Sequence, residues 1–239
     1  MQKKDLSKRI WELDALRGIA IVLVCVLHAF KFLNTFTSIQ IPLSPFVSAV
    51  AQYGGTIFII LSGICVAFSK SSTKRGIIVF LCGMFLTITT YALAETGLES
   101  QKILMQWTVL HLIGLGMILY PVFRKWSCAV QLILAVVIIV LGYIIQANVY
   151  VKNPYLFPLG FRTRWFTAFE WRPVLPNLGW FLLGIGLKPI LYPDNVSLMP
   201  KITEYTPGIN VLCTIGRYSL HIYMIHQIVY YVLIKLFLA

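Results

Sequence analysis

The chain has 239 residues, 59% hydrophobic and 12% charged, with five cysteines and a mean hydropathy of +0.82. This composition excludes a soluble domain and reads as an all-α polytopic membrane protein, one transmembrane domain over residues 1–239 with the lipid bilayer as its first partner. The formal charge of +12 sits in short clusters between apolar runs, with no basic stripe interleaved with aromatics, which excludes nucleic acid.

A helix needs roughly 20 apolar residues to cross a bilayer. Seven candidate spans meet that requirement, at about 13–33, 47–68, 76–94, 103–123, 128–146, 175–192 and 210–237. The start "MQKKDLSKRI" imitates a signal peptide. Asp14 and Arg17 interrupt the apolar stretch that follows, so it reads as a retained first span. Asp14, Arg17 and His28 lie near one stripe of that helix, and His28 stands about 16 Å further along it than Arg17. Ionisable groups inside a span are costly enough that function is the first hypothesis. The structural alternative pairs Asp14 with Arg17 at headgroup level and gives His28 a carbonyl partner.

After the first span, "TFTSIQIPLSPF" reads as a loop or an interfacial helix. The second span carries Gly54, Gly55, Ser62 and Gly63, as suited to close helix packing as to ligand contact. The fourth carries His111, with Gly114 and Gly116 allowing a neighbouring helix to approach. His28, His111 and His226 all fall near the outer ends of their spans, within reach of a shared polar pocket if the helices are neighbours. The long connection at about 147–174 is rich in aromatics and reads as an ordered cap on the bilayer surface. Arg172 closes it, as a snorkelling anchor or a substrate contact. In the last span Ser219, Tyr223, His226 and Tyr230 form a polar stripe with Gln227 beside it, whereas His221 falls about 140° away from His226. The cysteines lie singly in apolar runs, so they read as packing residues and no metal is expected.

Orientation follows from lysine and arginine. Lys3, Lys4, Lys8, Arg9, Lys70, Lys74, Arg75, Arg124, Lys125, Lys188 and Lys201 share one side, expected to be the cytoplasm. Seven spans then put the C-terminus outside. The outer connection with Lys152, Arg162, Arg164 and Arg172 counts weakly against this assignment.

Five segments in order, "WELDALRGIAIVLVCVLHAF", "GGTIFIILSG", "MQWTVLHLIGLGMIL", "FEWRPVLPNLGWFLLGIGL" and "IGRYSLHIYMIHQIV", resemble the catalytic domain of the heparan-α-glucosaminide N-acetyltransferases. More distantly the chain is similar to membrane enzymes that O-acetylate bacterial polysaccharides, which share the "LRG" and a first-span histidine. In the glucosaminide enzymes the position matching His28 is an asparagine, and the proposed catalytic histidine lies in the following loop. Here the segment after Phe36 has none, so His28 matches the polysaccharide enzymes better.

The resemblance implies transfer of an acetyl group from cytoplasmic acetyl-CoA to an amine or hydroxyl of a glycan or amino-sugar acceptor across the membrane. His28 and His226 would be catalytic. Asp14, Arg17, His111, Ser219, Tyr223, Gln227 and Arg172 would bind substrate. A neutral imidazole suits proton removal from the attacking group, and Arg17 suits bidentate contact with CoA phosphates, oriented by Asp14. The competing class is a transporter or ligand-binding membrane protein that uses its intramembrane histidines, against which the chain shows no inverted repeat. Homo-oligomeric assembly stays open.

Overall fold

The computed structural model describes residues 10–39, 41–42, 44–96, 101–199 and 206–237. Lys3, Lys4, Lys8, Arg9 and Lys201, part of the charge argument, lie outside them. The α-helices are α1 (Trp11–Phe36), α2 (Pro45–Val66), α3 (Ser72–Glu95), α4 (Val109–Phe123), α5 (Cys128–Asn148), α6 (Val174–Leu191), α7 (Ile209–Arg217) and α8 (Ser219–Phe237). Two isolated bridges, Met105 with Glu170 and Tyr150 with Arg162, are the β pairing among the described residues. Among the described residues, six helices are long and apolar enough to cross a membrane, as expected of a polytopic all-α membrane protein.

Two elements differ from the sequence expectation. The fourth span starts at Val109 rather than near 103, because Trp107 takes a left-handed φ of 54° and Thr108 is the N-cap. The resulting α4 has 15 residues, about 22 Å of helix, short for a crossing. The last span is two helices broken at Tyr218 (φ −96°, ψ 12°), where Arg217 Nε turns back to donate to the Cys213 carbonyl at 3.2 Å. A guanidinium satisfying a terminal carbonyl is a common way for a helix to end.

The chain divides into two compact units, one of residues Met1–Phe58 with Lys188–Ala239 and one of Ile59–Leu187. In the first, α1 packs on α7 and α8. Glycines set the α1–α7 contact: a Cβ on Gly18 would overlap the Leu212 carbonyl, and one on Gly216 would overlap the Asp14 carbonyl. The backbones touch, and no larger residue fits at either position. Buried Glu12 accepts hydrogen bonds from Ser197 Oγ (2.9 Å) and the Leu198 N–H (2.7 Å), tying the segment after α6 to the start of α1.

In the second unit α3 packs on α4, where a Cβ on Gly76 would come within 2.8 Å of the Gly114 carbonyl. Gly63 is pressed against the backbone of Phe181 and Gly184, so this glycine of α2 serves helix packing. The connection between α5 and α6 is held by its aromatics. Phe157 stacks on Phe166, Phe166 meets Trp171, and the Trp171 indole donates to the Phe157 carbonyl at 2.9 Å.

Candidate active site

In the first unit, the tight α1–α7 contact carries the start of α8 to Arg17, whose Nη2 donates to Ser219 Oγ at 2.9 Å. Ser219 Oγ thus accepts one of the hydrogen bonds that orient this guanidinium. Its Nε is buried with no hydrogen-bond partner among the described residues. Asp14 is buried one turn before Arg17, its carbonyl against Gly216.

Further along, His28 Nδ1 lies 2.9 Å from His226 Nε2. The ring planes differ by 18° and the centroids are 5.2 Å apart. That spacing suits an edge-to-edge N–H···N bond, since both the N–H and the accepting lone pair lie in the ring plane. His226 Nδ1 lies 3.1 Å from the Ile222 carbonyl. A carbonyl only accepts, so His226 carries its proton on Nδ1 and presents a bare Nε2. His28 must then donate from Nδ1, which leaves the lone pair of the neutral ring on its Nε2. The order is Ile222 carbonyl, His226, His28, with every proton assigned.

Aromatic rings hold the pair. Tyr223 and Tyr230 meet the His226 ring at 5.3 and 5.5 Å, Tyr223 meets His28 at 6.2 Å, and Tyr230 donates to the Cys25 carbonyl at 3.1 Å. Successive contacts, Arg17 with Ser219, His28 with His226 and Phe32 with Tyr230, advance together along both helices, so α1 and α8 run parallel. Gln227, 3% exposed, lies on the same buried face of α8. His221 is exposed beside Tyr218, on a different face from buried His226.

His111 belongs to the second unit and has a different environment. It is 1% exposed, stacks on Trp107 with planes 19° apart, and takes the edge of Phe80. It sits at the third position of α4, and its Nδ1 accepts the Thr108 backbone N–H at 3.0 Å, with Thr108 Oγ1 at 3.1 Å. This is one arm of a capping box, with imidazole in place of Glu or Gln. A backbone N–H only donates, so Nδ1 is bare and the neutral ring carries its proton on Nε2. Glu170 Oε1 takes the next free amide, Val109 N–H, at 3.0 Å. Arg172 enters through its backbone, its N–H donating to the Trp107 carbonyl at 2.8 Å.

Sequence reasoning passed over Thr108 and the Ile222 carbonyl, and it gave Glu170 no partner. A threonine three residues before a polar side chain is a cap signal and was readable for Thr108. Glu170 is 61 positions from its partner and gives no local sign.

The family model described as heparan-alpha-glucosaminide N-acetyltransferase, catalytic, matches residues 9–228. No curated protein and no solved structure matches the chain significantly. The match spans most of the chain, which therefore belongs to that family of membrane acetyltransferases.

Proposed function

We propose that this family member transfers an acetyl group from cytoplasmic acetyl-CoA to an amine or hydroxyl of a glycan-like acceptor on the far side of the membrane, with His28 as general base. The observation that carries the proposal is the proton order in the histidine pair. With Nδ1–H committed to His226, the basic lone pair of His28 is on Nε2, and a neutral imidazole so fixed accepts a proton without first changing tautomer.

The acceptor's O–H or N–H gives its proton to His28 Nε2 as its heteroatom bonds to the acyl carbon. The C–S bond then breaks, and the CoA thiolate leaves to be protonated. Positive charge arising on His28 is shared through Nδ1–H with His226, which the Ile222 carbonyl steadies. Arg17, held by Ser219, meets the donor's phosphates, and its unpartnered buried Nε supports an anion at that end. Asp14 lines the same end. The Tyr223 hydroxyl is the candidate donor to the developing oxyanion. In the second unit, His111 offers an Nε2–H as a hydrogen-bond donor.

Parallel α1 and α8 support opposite placement of the two ends of the chain. If both cross, an odd number of crossings separates them, which enlists α4 despite its length and gives seven in all. The N-terminus is then cytoplasmic and the C-terminus outside, in a cell membrane.

The test is labelled acetyl-CoA with purified protein in detergent, against a panel of amino sugars and hydroxyl-bearing glycolipids. Consumption of thioester with acetylation of one acceptor class is expected. Binding or movement of the glycan with the thioester left intact would favour the carrier class instead.

A further inference from the structure

The Gln227 side chain has no role in this scheme, and its amide is the best-buried polar group lacking a partner among the described residues. It is 3% exposed, and both Nε2 and Oε1 are fully buried without a hydrogen-bond partner among the described residues. Buried amides are almost always bonded, because each unmade bond inside a low-dielectric interior carries the whole desolvation penalty. An amide left open at both its donor and acceptor ends is suited to a ligand.

Its position narrows the ligand. At 100° per residue, His226, Ser219, Tyr223 and Gln227 span an arc of about 100° on α8. Gln227 stands eight residues, about 12 Å, beyond Ser219, which holds Arg17. It follows His226, the partner of the proposed base. It is thus far from the phosphate end and level with the reacting end. A phosphate would satisfy only the N–H donors, and a hydrocarbon chain neither group. A secondary amide offers one N–H and one C=O, the complement of Oε1 and Nε2. The pantetheine arm of an acyl-CoA has such an amide two carbons from its sulfur.

We propose that Gln227 pairs with this sulfur-proximal amide of the acyl donor, setting the height of the thioester against His28. The assignment rests on the acyl-transfer reading above and adds to it a residue that recognises the donor's arm.

The test compares Gln227→Leu with wild type on acetyl-CoA, S-acetyl-N-acetylcysteamine, which keeps only that amide, and S-propyl thioacetate, which has none. Loss of kcat/KM by about tenfold or more is expected for the first two donors, and less than about threefold for the third. Thermal stability of Gln227→Leu without ligand should equal or exceed wild type, because an unbonded amide is replaced by an apolar side chain of similar size. Equal loss on all three donors, a change confined to the acceptor's KM, or a lowered Tm would overturn the assignment. Wild-type protein that consumes none of the three would instead sink the acyl-transfer reading, and Gln227's partner with it.

Discussion

His28 and His111 are the same residue type in two regions of one molecule, and their protons end on opposite nitrogens. His28 is fixed from afar, by a side chain 198 positions away whose own tautomer is set by a carbonyl on α8. His111 is fixed from one turn away, by the amide of the residue that caps its own helix. The first arrangement leaves a lone pair on Nε2, as the proposed base requires. The second leaves an N–H there and makes a donor. Which kind of backbone group anchors the chain, carbonyl or amide, decides which nitrogen carries the proton.

The comparison breaks most visibly at His28. His28→Ala should lower kcat by roughly 10²–10⁴, the usual contribution of a positioned general base, while leaving the KM for acetyl-CoA nearly unchanged. Measured on folded protein, near-wild-type turnover would move the base elsewhere and leave the pair a structural contact. His226→Ala should cost on the order of 10² in kcat, since the base remains but its tautomer is no longer held. His226→Gln should recover much of that loss, because a side-chain carbonyl can still accept from His28 Nδ1. A glutamine variant no better than alanine would argue against tautomer control.

The next effect is on stability and separates the two regions by packing. A Cβ on Gly83 would stand 2.8 Å from His111 Nδ1, and that ring cannot swing away from Trp107 and Phe80 without losing the cap. Gly83→Ala should therefore destabilise the protein by about 1–3 kcal/mol. Gly54→Ala in the first unit, whose Cβ would meet Leu23 at an ordinary 3.6 Å, should change stability by less than about 0.5 kcal/mol. Comparable melting shifts for both would mean that the His111 ring is free to move.

How much of this was readable depended on whether the cause was local. The stripe of Ser219, Tyr223, His226 and Tyr230 was legible because helical period alone sets which residues share a face, and the same period puts His221 on another face, though not that this face is exposed. The α3–α4 approach was legible on the α4 side in Gly114. The late start of α4 was not, since Trp107 takes a conformation unusual for a bulky residue and only its surroundings sustain it. Nor was the break at Tyr218, since Gly216 beside it is helical and serves the contact with α1. The pairing of His28 with His226 is a matter of which helices adjoin, and the proton order depends on the identity of third partners, neither of which a single sequence displays.

The smallest predicted effect bears most directly on how His111 is set. Thr108→Ala removes the hydroxyl 3.1 Å from His111 Nδ1 but keeps the backbone N–H that donates to it. If the amide decides the tautomer, the substitution should cost about 1 kcal/mol, as loss of an N-cap side chain usually does. His111 should still carry its proton on Nε2. Nitrogen-15 NMR of histidine-labelled protein separates the tautomers, and it should place His111 in the Nε2–H form before and after the change, with His28 and His226 in the Nδ1–H form throughout. A switch of His111 to Nδ1–H in Thr108→Ala would mean that the hydroxyl held the proton in place. The capping amide would then be bonded elsewhere, and the contrast between a carbonyl-anchored base and an amide-anchored donor would fail at its second half.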